Sequence, residues 1–243
     1  TVSASDGGSF GGNVGVGGTL SVTGVPTFTG RSVHSGGITI ANDGQIGSVG
    51  DADAMAISSS GVVTFSQPPV GAGGLVKLLN TSFSSSVSTY EISSTYINSA
   101  YDEYLLFFNF TQTSDNQSLK MRVLVGGTLN TSSIYAYEGG GTSGSTYVSS
   151  NATDDFVLTV YGVGNASGEC VTGRLHLQNV NSTTFPFTYS GYTMANNQHG
   201  NREGSALTGS LTVGNEDKVV NGLSFNSGSN LTSGTIKLYG IVT

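Results

Sequence analysis

Residues 101–110 read Tyr-Asp-Glu-Tyr-Leu-Leu-Phe-Phe-Asn-Phe. In an extended backbone Tyr104, Leu106, Phe108 and Phe110 fall on one side, with Leu105 and Phe107 on the other. The pattern predicts a strand that is apolar on both faces. Leu119, Met121, Val123 and Val125 then alternate with Lys120, Arg122 and Leu124, as in a strand with one buried face. The turn-forming Ser114-Asp115-Asn116 between the two segments predicts a hairpin loop. A sandwich buries one face of such a strand, so Leu105 and Phe107 need a second cover. A neighbouring protomer is the expected one.

Further strand-forming segments follow at 75–79, 87–97, 133–137, 156–163, 171–180, 185–194, 206–213, 219–225 and 235–242, separated by Gly, Asn, Ser and Asp clusters. Val171, Gly173, Leu175 and Leu177 alternate with Thr172, Arg174, His176 and Gln178, and Ile236 and Leu238 with Thr235, Lys237 and Tyr239. Strands at this spacing predict an all-β head over 75–243, an antiparallel β-sandwich of jelly-roll type. No segment carries a helical period.

Residues 1–68 differ. Glycines break them into short apolar pieces at 19–23, 37–41, 55–58 and 61–65, each too short to bury a face alone. Such pieces gain stability by stacking on neighbours or winding with copies of themselves. Leu20, Val22, Ile38, Ile40, Ile57, Val63 and Phe65 are therefore candidates for an assembly interface, together with Leu105 and Phe107. Pro68-Pro69 and the glycines after them mark a linker over 69–74 between this stalk and the head.

Composition narrows the functional classes. The chain has 243 residues, 37 Gly, no Trp and only 9% charged residues, with Ser, Thr, Asn and Gly in the usual places of Lys and Glu. Its net charge is −7, and the Lys and Arg residues are scattered singly, which argues against a nucleic-acid partner. The lone Cys170 leaves no intrachain disulfide. No apolar run is long enough to insert into a membrane, and residues 1–4 lack the pattern of a signal peptide.

The candidate chemistry is sparse. Asp51 and Asp53 lack the further oxygen ligands of a calcium loop, and Asp154-Asp155 is read as turn chemistry. His34, His176 and His199 show no zinc spacing. No Gly-x-Ser-x-Gly elbow is present, and Cys170 at a strand start reads as a small buried hydrophobe. The expectation is a protein without metal, cofactor or catalytic site. Eight Asn-x-Ser/Thr triplets are what so much Asn, Ser and Thr would give by chance.

Two loops carry more. Tyr135, Tyr137 and Tyr147 border a Gly/Ser frame suited to adaptable contacts. Asn196, Asn197, Gln198, His199 and Arg202 form a polar loop, with Tyr189 and Tyr192 before it. Aromatic faces beside planar amides suit saccharides, so these residues are the candidate receptor-binding surface.

The run Gly36-Gly-Ile-Thr-Ile-Ala-Asn-Asp-Gly-Gln-Ile-Gly47, continuing through Asp51-Ala-Asp-Ala-Met-Ala-Ile-Ser58 and Gly61-Val-Val-Thr-Phe-Ser66, resembles stalk segments of bacteriophage tail fibres and related virion proteins. Gly12-Asn-Val-Gly-Val-Gly-Gly-Thr-Leu-Ser-Val-Thr23, Ala100-Tyr-Asp-Glu-Tyr-Leu-Leu106 and Ser233-Gly-Thr-Ile-Lys-Leu-Tyr-Gly-Ile241 are similar to stretches of phage virion proteins. The resemblance implies a homotrimeric virion surface protein, made in the host cytoplasm. Its residues 1–68 would anchor it to other virion proteins, and its head would contact host surface glycan. A capsid decoration or head-fibre protein, and a polysaccharide-degrading tailspike, are the alternatives. The stalk is far shorter than that of long fibres.

Overall fold

The computed structural model describes residues 15–67, 74–141, 147–197 and 199–242. The chain divides into two compact units, Thr1–Gln67 and Pro68–Thr243. Both are built from β-strands, and there is no helix among the described residues.

In the first unit β1 (Gly44–Ser48), β2 (Asp51–Ile57) and β3 (Val63–Phe65) form an antiparallel sheet in that order. The expected strands at 19–23 and 37–41 are irregular, and 44–48 is a strand that the alternation did not reveal. An extended piece needs a partner for its backbone groups, and the described chain provides none to these two. Large apolar side chains stay at the surface here: Leu20 is 69% exposed, Val25 92% and Ile38 68%.

The second unit is one large antiparallel sheet curled into an all-β, sandwich-like fold. Its strands are β4 (Gly74–Phe83), β5 (Val87–Ile92), β6 (Glu103–Gln112), β7 (Lys120–Val125), β8 (Thr128–Leu129), β9 (Tyr135–Gly141), β10 (Tyr147–Thr153), β11 (Phe156–Val157), β12 (Val171–Gln178), β13 (Thr188–Asn196), β14 (Arg202–Leu211) and β15 (Val220–Val242). The main path runs β10-β9-β14-β13-β12-β6-β15-β7-β11, with β4 and β5 added to β15 and β8 to β7.

The segments expected as separate strands at 219–225 and 235–242 are one strand, β15. It joins the two layers. Residues Val220–Asn226 pair with β7 and β5, whereas Leu231–Val242 pair with β6 and β4, Leu231 also meeting Val87 of β5. At the crossing the Ser227 hydroxyl donates to the Ser229 carbonyl at 2.7 Å and accepts from its N–H at 3.1 Å. These local bonds stand in for ladder bonds and let the strand change layers.

The expected hairpin between residues 101–110 and 119–125 does not form. β6 and β7 pair with different halves of β15, and Thr113–Ser118 crosses between the layers. Buried Gln112 holds that crossing, its side-chain amide reaching the carbonyls of Ser114, Gln117 and Val163. A connection of this length gives the chain room to change sheet, and burying Phe108 and Phe110 against β15 outweighs local pairing.

The alternation along β6 is kept. Tyr104, Leu106, Phe108 and Phe110 are buried in a core shared with Met121, Val123, Phe225, Ile236 and Leu238. The expected strand at 156–163 shrinks to Phe156–Val157, and the following residues reach the core as a loop whose Leu158 N–H donates to the Leu119 carbonyl.

Candidate recognition surface

The outer face of the larger layer is assembled by register. On β15, β6, β12 and β13 the residues Lys237, Phe107, Arg174 and Tyr192 lie directly opposite one another in turn. Opposed residues share a face, so these side chains form a row running across the strands. The adjacent row runs Lys77, Tyr239, Leu105, His176, Ser190, Thr208, Glu138.

This face is solvent-accessible. Phe107 is 36% exposed, Tyr192 48% and Met194 50%, and Leu105 is half-buried. The Phe107 and Tyr239 rings meet edge to face with centroids 6.1 Å apart. The Arg174 guanidinium lies over the Tyr192 ring, 5.1 Å from its centre, a cation–π arrangement. His176 Nε2 and Glu103 Oε2 are 2.7 Å apart on the same face. His176 is thus a paired surface histidine.

Three hollows lie along the face. One of about 300 Å³ is bounded by Phe107, Asn109, Thr235, Lys237 and Tyr239, and one of about 290 Å³ by Leu105, Arg174, His176, Ser190 and Ile241. A larger trough of about 790 Å³ lies over β9, β10, β13 and β14, bounded by Glu138, Ser149, Asn151, Thr188, Thr208 and Ser210. The small outward residue Ala136 helps to leave it open. Hydroxyls and a carboxylate on its walls suit a hydroxylated ligand.

The structure redistributes the sequence candidates. Tyr135 and Tyr189 are core residues, 0% and 1% exposed, and no receptor can touch them. The Tyr135 hydroxyl donates to the Asn130 carbonyl and accepts from the Val123 N–H, and burial pushes its pKa up to about 12. Burial likewise raises that of Tyr189. Tyr137 is half-buried against the core. Both 135 and 189 face inward because the strand period places them there, which the glycine-rich surroundings concealed.

Asn197 is structural. Its amide nitrogen donates to Glu203 at 2.8 Å, while its oxygen accepts from the backbone N–H groups of His199 and Asn201. Asn196 donates to the Gly168 carbonyl. His199 and Arg202 are exposed, and among the described side chains of this set Tyr192 is the one aromatic on the outer face. Gln198 and the Tyr147 side chain lie outside the described residues.

Of the assembly candidates, Leu20, Val22, Ile38, Val63, Phe65 and Phe107 are exposed, and Ile40, Ile57 and Leu105 half-buried. The acidic pairs are built into the fold or lie at its surface. Asp155 accepts from Arg122 Nε at 2.8 Å with Lys120 Nζ at 3.5 Å. On β2 a hydrogen bond to Asp53 raises the Asp51 carboxyl above its ordinary value. No cluster of three metal-ligating side chains occurs among the described residues.

Sequence reasoning missed Arg174 and Lys237 as members of a site. Their outward direction follows from alternation, but their alignment with Phe107 and Tyr192 depends on strand order. Compared with protein-family models, curated proteins and solved structures, the chain matches none of them.

Proposed function

We propose that this chain is a non-enzymatic structural protein of a phage virion surface. It assembles as a homotrimer, attaches to other virion proteins through residues 1–68, and presents its sandwich head to the host cell surface. The carrying observation is the apolar exposure of the first unit. Leu20, Val22, Val25, Phe28, Val33 and Ile38 are between 52% and 92% exposed along a stretch without paired strands. An apolar surface of this extent is a binding surface. Copies of the same segment, wound together, would cover it and supply the missing strand partners.

The charged groups support the non-enzymatic reading by the work they do. Asp155 ties β7 to the turn before β11 through Arg122, and Glu103 joins β6 to β12 through His176. Both join neighbouring segments of the sheet.

Multi-angle light scattering on the full chain tests the assembly, with a mass three times that of the protomer expected and a monomer overturning it. Gold labelling on intact virions, with label expected at the tail, tests the location. Label over the capsid would support decoration instead.

A further inference from the structure

We infer that the outer face carrying Lys237, Phe107, Arg174 and Tyr192 binds an anionic polysaccharide, lying across the strands. This deepens the proposed function and rests on its reading of the head as the part that meets the host surface.

The charge of this face favours such a ligand. The chain carries net −7, yet Lys77, Lys237 and Arg174 gather on this face, and none of them is ion-paired among the described residues. The carboxylate of Glu103 is engaged by His176. Glu138 lies beyond β13 and β14, roughly 14 Å from the Arg174 strand at ordinary strand spacing and outside a Debye length of about 8 Å. Cations held free on an acidic protein are complementary to a negative ligand.

The order of the side chains favours it too. Cation, ring, cation, ring is the sequence along the row. Adjacent strands are about 4.8 Å apart, so Lys237 and Arg174 are separated by roughly 9.6 Å, with Phe107 between them. A linear sugar polymer with one acidic group per disaccharide presents charges at a comparable interval, with pyranose faces between them that can lie on aromatic rings. A compact phosphate would meet one cation and leave the rings unused.

The surrounding polar groups fit a sugar. Asn109 and Thr235 border the hollow beside Phe107 and Lys237, and offer an amide and a hydroxyl to sugar hydroxyls. The trough at the other end of the face is walled by hydroxyls and Glu138, which suits a neutral sugar. An acidic polypeptide would find little use for that end.

The test is binding of the full chain to immobilised hyaluronan, which carries one carboxylate per disaccharide, with neutral dextran and poly-L-glutamate as comparisons. Hyaluronan should bind and the other two should not, with binding falling steeply as salt rises because the contacts are exposed. Lys237→Ala and Arg174→Ala should each weaken binding by about 2- to 5-fold, the size of an exposed ion pair. Both side chains are exposed, so the variants should keep the parent's melting temperature.

Equal binding of dextran would overturn the charge argument, and equal binding of poly-L-glutamate the saccharide argument. No binding to hyaluronan, or binding indifferent to both substitutions, would overturn the inference. If the Arg174→Glu variant changes the mass in light scattering, the face is a subunit interface and the inference falls. A trimer that ignores hyaluronan would leave the assembly intact and remove only this ligand, whereas a monomer that binds it would do the reverse.

Discussion

The ring of Phe225 lies 5.4 Å from that of Phe110, although one belongs to the first half of β15 and the other to β6, which pairs with its second half. One strand thus contributes both to a ladder and to the face that the ladder covers. Phe108 stacks on Phe110 at 5.4 Å and reaches Phe225 at 5.7 Å, so the two layers are held together where β15 bends away.

Truncating this cluster should be expensive. Phe225→Ala or Phe110→Ala is expected to lower stability by about 3–5 kcal/mol, the usual range for a buried phenylalanine. Phe107→Ala, on the outer face, should cost about 1 kcal/mol or less. Urea titrations of the three variants measure the contrast, and equal losses would refute this placement of the faces.

Glycines make room for the same rings. A Cβ at Gly173 would collide with the Phe108 ring, and one at Gly234 would fall between Phe110 and Phe83. Gly173→Ala and Gly234→Ala are expected to destabilise by roughly 1–3 kcal/mol through overpacking. Gly140→Ala meets open space and should differ by about 0.5 kcal/mol or less. Thermal melts rank the three.

Alkaline pH should destabilise the head. The Tyr135 phenol is held protonated by burial, with its pKa pushed up to about 12. Below the unfolded value of about 10 both states keep the proton and stability is full. As pH rises from there toward 12 the unfolded chain ionises first, and on the order of 2–3 kcal/mol is lost. Burial of Tyr189 acts in the same direction. Tyr135→Phe should flatten this pH dependence, measured as denaturation midpoint against pH.

Asp155→Ala removes the partner of Arg122 and Lys120 beside β7. With Arg122 only 25% exposed, the loss should be about 1–3 kcal/mol. Arg122→Ala and the double variant complete a cycle whose coupling should exceed about 0.5 kcal/mol. Additive losses would show that the pair contributes nothing beyond its separate contacts.

The core cluster lies entirely within residues 92–238. A chain lacking residues 1–67 is therefore expected to melt within a few degrees of the full chain, while losing the trimer. Calorimetry and light scattering on the two chains check both halves.

Alternation by itself determined the β class, the buried side of β6 and β12, and the outward direction of Leu105, Phe107, Arg174 and Lys237. These are local consequences of a two-residue period, which every extended segment obeys. Composition likewise set apart the glycine-punctuated 1–68. Only the tertiary structure decided that 101–110 and 119–125 lie in different layers, that 220–242 is one strand, and that Tyr135 and Tyr189 are core. It alone brought Lys237, Phe107, Arg174 and Tyr192 into a row. Pairing between distant segments is chosen by the global burial of apolar faces, as when Phe225 meets Phe110, and no local pattern carries that choice.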